Sequence, residues 1–78
     1  MNVTIRTIDK ILFSDAAQEI TLPGLYGKVG IRPNHAPMSV VLSEGEIQIK
    51  LSSGNKTFSI ENGLAQVGDN AVNVLLAC

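Results

Sequence analysis

The chain has 78 residues, of which 45% are hydrophobic and 17% charged, a composition that excludes intrinsic disorder. A net charge of -1, with one tyrosine and two phenylalanines, excludes the basic and aromatic surface that nucleic-acid binding requires. The length fits one domain, residues 1–78. Because a chain of this size buries only about 60% of its unfolded surface, we expect modest stability and dependence on partner proteins.

The sequence contains no signal for insertion into a membrane. No apolar run approaches the roughly 20 residues of a spanning helix, and the amino terminus lacks the regions of a signal peptide. We therefore expect the protein to stay in the compartment where it is made. The single cysteine, Cys78, is the last residue, which excludes an intrachain disulfide and leaves no metal-ligand spacing.

Alternation of apolar and polar residues recurs along the chain and predicts half-buried β-strands. In chain order, the alternating apolar residues are Val3 and Ile5, then Ile47, Ile49 and Leu51, then Phe58 and Ile60, then Val72 and Val74. Two denser apolar runs, residues 11–13 and 38–42, are typical of strands that are covered on both faces or that meet a partner.

Three turn signals separate the later strands and predict hairpin connections. They lie at residues 53–55, 61–63 and 68–70. The one helical candidate, residues 14–20, is too short and is followed by Thr21 and Pro23. These patterns predict an all-β chain, a sandwich of two sheets around one core.

The segment LPGLYGKVGIRPNHAP, residues 22–37, contains three glycines, three prolines and the single histidine. Glycine permits positive φ and close backbone approach, whereas each proline fixes φ and removes a hydrogen-bond donor. We therefore expect a rigid loop with several turns, and an exposed tip at residues 26–30.

Written as LPG-x-x-G-x-x-GI-x-P-x-HAP, this segment resembles the signature of the F-type ATP synthase epsilon subunit, called delta in mitochondria, within its amino-terminal domain. Four further segments have the family's order and spacing: residues 11–15, 45–49, 61–67 and 70–75. The resemblance therefore covers essentially the whole chain. It implies a flattened β-sandwich of two antiparallel sheets with about ten short strands.

His35 is the most conspicuous side chain for chemistry, but a lone histidine forms neither a metal site nor a catalytic pair. The residues alone favour a ring that hydrogen-bonds within its loop. The resemblance implies instead that His35 lies where the subunit docks on gamma. The apolar run 38–42 cannot point entirely inward from one pleated strand, so we expect Met38 and Val40 to join His35 on that docking surface.

The tip consists of Tyr26, Gly27, Lys28, Val29 and Gly30, and the resemblance implies that it faces the polar loops of the membrane c-ring. The family usually has glutamate at the position of Lys28, so the charge offered to the ring is reversed here. A solvated turn lysine is the alternative interpretation of Lys28.

No catalytic constellation is visible. The carboxylates are scattered singly, and Gly27-x-x-Gly30 lacks the lysine, hydroxyl residue and helix of a phosphate-binding loop. We expect no cofactor and no metal.

The resemblance implies a non-catalytic central-stalk subunit that couples gamma to the c-ring and contacts the catalytic head only indirectly. It also implies a peripheral position on the cytoplasmic face of a bacterial inner membrane, or an organellar equivalent. The family's inhibitory helical hairpin has no counterpart among these residues, so we expect coupling without that inhibition.

Two other classes compete with this interpretation. The first is a small β-sandwich carrier or protein-binding module. A carrier would need a modified lysine at a hairpin tip, and Lys56 is the nearest candidate. A hydrolase is disfavoured because no nucleophile has a neighbouring base.

Overall fold

Nine β-strands joined by short connections form the fold, and no helix occurs within residues 1–77, the part of the chain that this computed structural model describes. The strands are β1 (Asn2–Arg6), β2 (Ile11–Ala16), β3 (Glu19–Gly24), β4 (Gly27–Ile31), β5 (Met38–Leu42), β6 (Gly45–Leu51), β7 (Gly54–Ile60), β8 (Gly63–Gly68) and β9 (Ala71–Leu76). The all-β prediction is confirmed, with nine strands where about ten were expected. Cys78 lies outside the described residues.

The strands form one hydrogen-bonded path that bends between β5 and β3, where only Gly24 and Leu42 are paired. The bend separates sheet A (β2-β1-β9-β8-β5) from sheet B (β4-β3-β6-β7). Both sheets contribute to a single cluster of buried side chains. The molecule measures 26 × 24 × 19 Å, and its two sheets around one core confirm the sandwich that the sequence predicts.

One strand pairing departs from the predicted antiparallel pattern, because β1 runs parallel to β9 in the middle of sheet A. Parallel neighbours need a long crossover connection. Here the whole chain between β1 and β9 supplies it.

Alternation places one row of sheet A side chains in the core. Its cross-strand neighbours, none more than 9% exposed, are Val40, Ala65, Val74, Ile5 and Phe13. The largest side chains from sheet B, all at most 1% exposed, are Ile20, Leu22, Ile31, Ile47 and Ile49. No polar side chain is buried within residues 1–77, so the core is held by apolar packing.

The glycine- and proline-rich segment was expected to be a loop with several turns, and this expectation is half wrong. Residues 22–31 belong to the β3–β4 hairpin, and only residues 32–37 form a loop. Pro23 fits inside β3 because its carbonyl accepts a hydrogen bond from the Ser43 N–H (2.9 Å), which directs its backbone groups away from β4. The missing proline N–H therefore costs no bond between β3 and β4.

Two of the three predicted hairpins are present. Residues 53–55 lie at the β6–β7 turn and residues 68–70 at the β8–β9 turn. The third prediction is wrong, since residues 61–63 carry the chain from β7 in sheet B to β8 in sheet A.

The outer edges of the two sheets meet through side chains at β2 and β7. The Phe13 and Phe58 rings pack edge to face, with centroids 5.8 Å apart. The Lys56 ammonium nitrogen lies 5.7 Å from the Phe13 ring centroid. These contacts cover the open side of the sandwich.

Candidate functional site

The outer face of sheet A is divided into a polar row and an apolar row. The polar row consists of cross-strand neighbours Ser39, Gln66, Asn73, Thr4 and Ser14. Ser39 donates a hydrogen bond to the Gln66 amide oxygen at 2.9 Å. The apolar row, two positions further along the strands, consists of Val41, Leu64 and Leu75.

The apolar row is exposed although its members are large and adjacent. Val41 is 56% exposed, Leu64 40% and Leu75 47%. Ile8, 81% exposed in the β1–β2 connection, borders the same shallow depression. Contiguous apolar surface on a rigid sheet is typical of a protein-docking site.

The structure corrects the choice of Val40 as a docking residue. Alternation along β5 turns Val40 and Leu42 into the core, with Val40 only 6% exposed, and turns Ser39 and Val41 outward. Met38 is half-buried and packs against the core. Residues 38–42 do include side chains that face outward, Ser39 and Val41, and Val41 is the apolar one.

The predicted tip divides between a turn and a strand. Leu25 and Tyr26 form the turn and are 55% and 100% exposed, whereas Gly27 to Gly30 lie in β4. Lys28 is exposed and Val29 is half-buried. The Leu25 N–H donates to the Val41 carbonyl at 2.9 Å, so the hairpin end is fixed beside the apolar row.

His35 lies at the other end of β5. It is exposed in the loop that precedes Met38, and its ring Nδ1–H donates to the Ala36 carbonyl at 2.8 Å. The structure therefore brings Tyr26 and Lys28 close to Val41 but does not bring His35 to the apolar row.

Sequence reasoning missed Ile8, Leu64 and Leu75 as surface residues. The available signal was the adjacent apolar pairs Leu64-Ala65 and Leu75-Leu76, because two neighbours on a pleated strand point to opposite faces. Ile8 carried no such signal.

Within residues 1–77 no group of three or more histidine, cysteine or acidic side chains is placed to bind a metal. Lys56 lies inside β7, not at a hairpin tip, which removes the placement that a carrier lysine needs. The same residues include no helix long and apolar enough to cross a membrane.

Fold and surface together define a small all-β sandwich domain that presents an exposed apolar row beside a rigid hairpin end. Residues 1–77 match the family described as ATP synthase, Delta/Epsilon chain, beta-sandwich domain. The chain belongs to this family.

Relatives include ATP synthase epsilon chains of bacteria and chloroplasts. The chain is 36% identical to that of Leptospira borgpetersenii over 75 residues, which cover 96% of this chain and 59% of the relative. Identity is 36% to the chain of Gloeothece citriformis, with 97% and 55% covered, and 30% to the chloroplast chain of Piper cenocladum, with 97% and 57% covered. The chain thus spans less than two thirds of these relatives.

Solved structures support the same fold. One is the central stalk and c-ring of the Tetrahymena thermophila mitochondrial ATP synthase, with a TM-score of 0.84, 23% identity and coverage of 99% of this chain and 63% of that chain. Another comes from the Euglena gracilis mitochondrial ATP synthase, with a TM-score of 0.89, 20% identity and coverage of 97% and 49%.

Proposed function

We propose that this chain is the β-sandwich part of a non-catalytic rotor subunit that joins gamma to the c-ring of an F-type ATP synthase during proton-driven synthesis. The family match over residues 1–77 carries the proposal. The apolar row beside an exposed hairpin end supports it, because a coupling subunit needs two contact surfaces on one rigid body.

The gamma-docking surface in this proposal is the apolar row with Ile8. Burying these side chains against a partner releases water from apolar surface, which contributes roughly 25 cal/mol for each Å². Ladder hydrogen bonds already hold β5, β8 and β9, so binding needs little reorganisation of the backbone. Met38 packs against the core and is left out of this surface. His35, exposed in the loop before β5, would make a separate contact with gamma.

The ring-facing surface is the hairpin end with Tyr26 and Lys28. Lys28 is exposed and positively charged, which favours a carboxylate or a neutral polar group on the facing loop of the ring. Since Leu25 is hydrogen-bonded to β5, a load on the tip would pass directly into the strand that carries Val41.

Such a subunit is peripheral to the membrane and reaches it only through the complex. We place it on the cytoplasmic face of a bacterial inner membrane. The bacterial relatives support this position, and the chloroplast relatives leave an organellar equivalent as the alternative.

The gamma contact is tested by measuring the affinity of Val41→Asp for a gamma-containing catalytic head. A charge at this position would be desolvated in the interface, so we expect binding to weaken by a factor of at least about 10. Ser39→Asp is the matched control, because Ser39 faces outward from the same strand but belongs to the polar row.

Unchanged affinity of a folded Val41→Asp variant would contradict the docking surface. Loss of binding in Ser39→Asp alone would move the surface toward His35. Absence of binding by the unmodified chain would contradict the proposed function itself.

The ring contact is tested by disulfide crosslinking of Lys28→Cys to a cysteine in the polar loop of subunit c, in a Cys78→Ser background. Lys50→Cys is the control, because Lys50 lies near the far end of β6 and pairs with Glu19 at the start of β3. We expect crosslinking from position 28 only. Crosslinking of position 28 to gamma or to the head would reverse the proposed orientation.

A further inference from the structure

We infer that Asn70 positions the loop that carries His35, through a side-chain hydrogen bond from the β8–β9 turn. The His35 loop comprises residues 32–37. The positioning role stands on the structure alone, and its effect on docking rests on the proposed function.

The His35 loop has few attachments of its own. Pro33 and Pro37 have no N–H to donate. Within residues 1–77, one hydrogen bond ties residues 33–37 to another element: the Asn34 N–H donates to the Asn70 side-chain oxygen at 2.9 Å. The ion pair of Arg32 with Glu19, at 3.4 Å, precedes this part of the loop and is exposed, so it restrains the loop weakly.

Asn70 is itself held firmly. It follows Asp69 in the tight turn between the paired residues Gly68 and Ala71. Both turn residues have positive φ, 51° at Asp69 and 54° at Asn70. The Asn70 carbonyl also accepts a hydrogen bond from the Asn2 N–H at 3.2 Å. Asn70 thus joins its own hairpin, the start of β1 and the His35 loop.

The loop is shaped to receive this bond. Asn34 has a φ of 64°, a left-handed conformation that asparagine tolerates better than most residues. Pro37 lies beside the same turn, since a Cβ built on Gly68 would be 3.9 Å from the Pro37 Cβ. The hydrogen bond therefore fixes the loop beside a turn that also lies close to its far end.

Asn70 has two roles, adopting the positive φ of the turn and accepting the hydrogen bond from Asn34, and substitutions at this position can separate them. Glycine accepts positive φ but has no side-chain oxygen, whereas aspartate keeps both the conformation and an acceptor. Asn70→Gly should therefore keep the turn but lose the hydrogen bond to the Asn34 N–H. Asn70→Asp should keep both the turn and the hydrogen bond. Asp69→Gly is the matched control, because Asp69 has the same backbone conformation and no hydrogen bond to the loop.

The experiment measures backbone order parameters of His35 and Ala36 by NMR relaxation, with the solvent-exchange rate of the Asn34 amide. In Asn70→Gly we expect the order parameters to fall from near 0.85 toward 0.6 or below. Exchange of the Asn34 amide should accelerate about fivefold, the value for one modest hydrogen bond. Asn70→Asp and Asp69→Gly should resemble the unmodified chain, and amides of β9 should be unchanged in all three.

Gamma affinity is the second readout. If the loop is correctly placed only part of the time, the apparent affinity falls by that fraction. Asn70→Gly should therefore bind measurably more weakly than Asp69→Gly, by up to about fivefold. Loss of loop order without loss of affinity would show that the loop lies outside the interface and would overturn the docking effect.

Unchanged order parameters in Asn70→Gly would overturn the positioning role, as would an equal loss of order in Asp69→Gly. If the unmodified chain fails to bind gamma while the order parameters change as expected, the proposed function fails and the positioning role stands.

Discussion

Val40 and Val41 are neighbours in β5 with opposite surroundings. Val40 is 6% exposed and packs in the core, whereas Val41 is 56% exposed on the apolar row. The pleat of the strand produces this difference, since successive side chains point to opposite faces. An error of one residue in assigning the inward-facing side chains therefore exchanges the core with the proposed docking surface.

Replacing each valine with alanine tests which of the two side chains stabilises the fold. We expect Val40→Ala to lower the free energy of unfolding by about 1–3 kcal/mol, because it removes buried methyl groups and leaves a cavity. Val41→Ala should change it by less than about 0.5 kcal/mol, because its methyl groups are largely hydrated already. Urea denaturation measures both, and equal losses would contradict the inward and outward assignment.

At the scale of elements, the β3–β4 hairpin connects the candidate ring contact to the candidate gamma contact. Its close approach depends on Gly24, where an added Cβ would lie 2.6 Å from the Gly27 carbonyl oxygen. The neighbouring Leu25–Val41 hydrogen bond then holds the turn to β5. Packing and backbone bonding thus fix the direction of the tip.

Gly24→Ala should disturb this hairpin, because the contact is with backbone that cannot move without breaking pairs. We expect a loss of about 1–3 kcal/mol in the free energy of unfolding. Gly30→Ala is the matched control, since the nearest heavy atom to its added Cβ is a Glu19 carboxylate oxygen at 4.0 Å. The control should stay within about 0.5 kcal/mol in urea denaturation. A Gly24→Ala variant as stable as the control would contradict the close approach.

At the scale of the whole molecule, residues 1–77 form an apolar core without buried polar side chains, which supports a small body whose proposed partner contacts lie on its outside. A chain of this length has limited stability of its own. A partner that binds only the folded state adds a free energy of unfolding that rises with the logarithm of its concentration above the dissociation constant.

Gamma binding should therefore protect the core strands against hydrogen exchange. With a gamma-containing head in excess at 100 times its dissociation constant, exchange through global unfolding should slow about 100-fold. Mass spectrometry of β8 and β9 measures this protection. With its weaker binding, Val41→Asp should reduce the protection to about 10-fold or less, and Ser39→Asp should retain it. Undiminished protection in Val41→Asp would place gamma on another face.

Local patterning was sufficient to predict the class of fold and most of the strands. The alternation of Val3 with Ile5, and of Val72 with Val74, predicts strands whose apolar sides turn inward, as the structure shows. The signature around residues 22–37 indicated the family. It did not reveal that half of this segment is paired strand, because a proline normally argues against a strand. Pro23 is tolerated in β3 because its backbone groups face the β3–β5 junction and not β4, which only the structure shows.

The sequence by itself determined the all-β class, the apolar core and the family, because these depend on local periodicity and on residues in fixed order. The tertiary structure alone decided which side chains share a surface. Val41, Leu64 and Leu75 come from three strands and become neighbours only through the register of β5, β8 and β9. Asn34 and Asn70 likewise meet across 36 positions of the chain. Strand pairing over such distances is set by the packing of the whole core, and no local pattern encodes it.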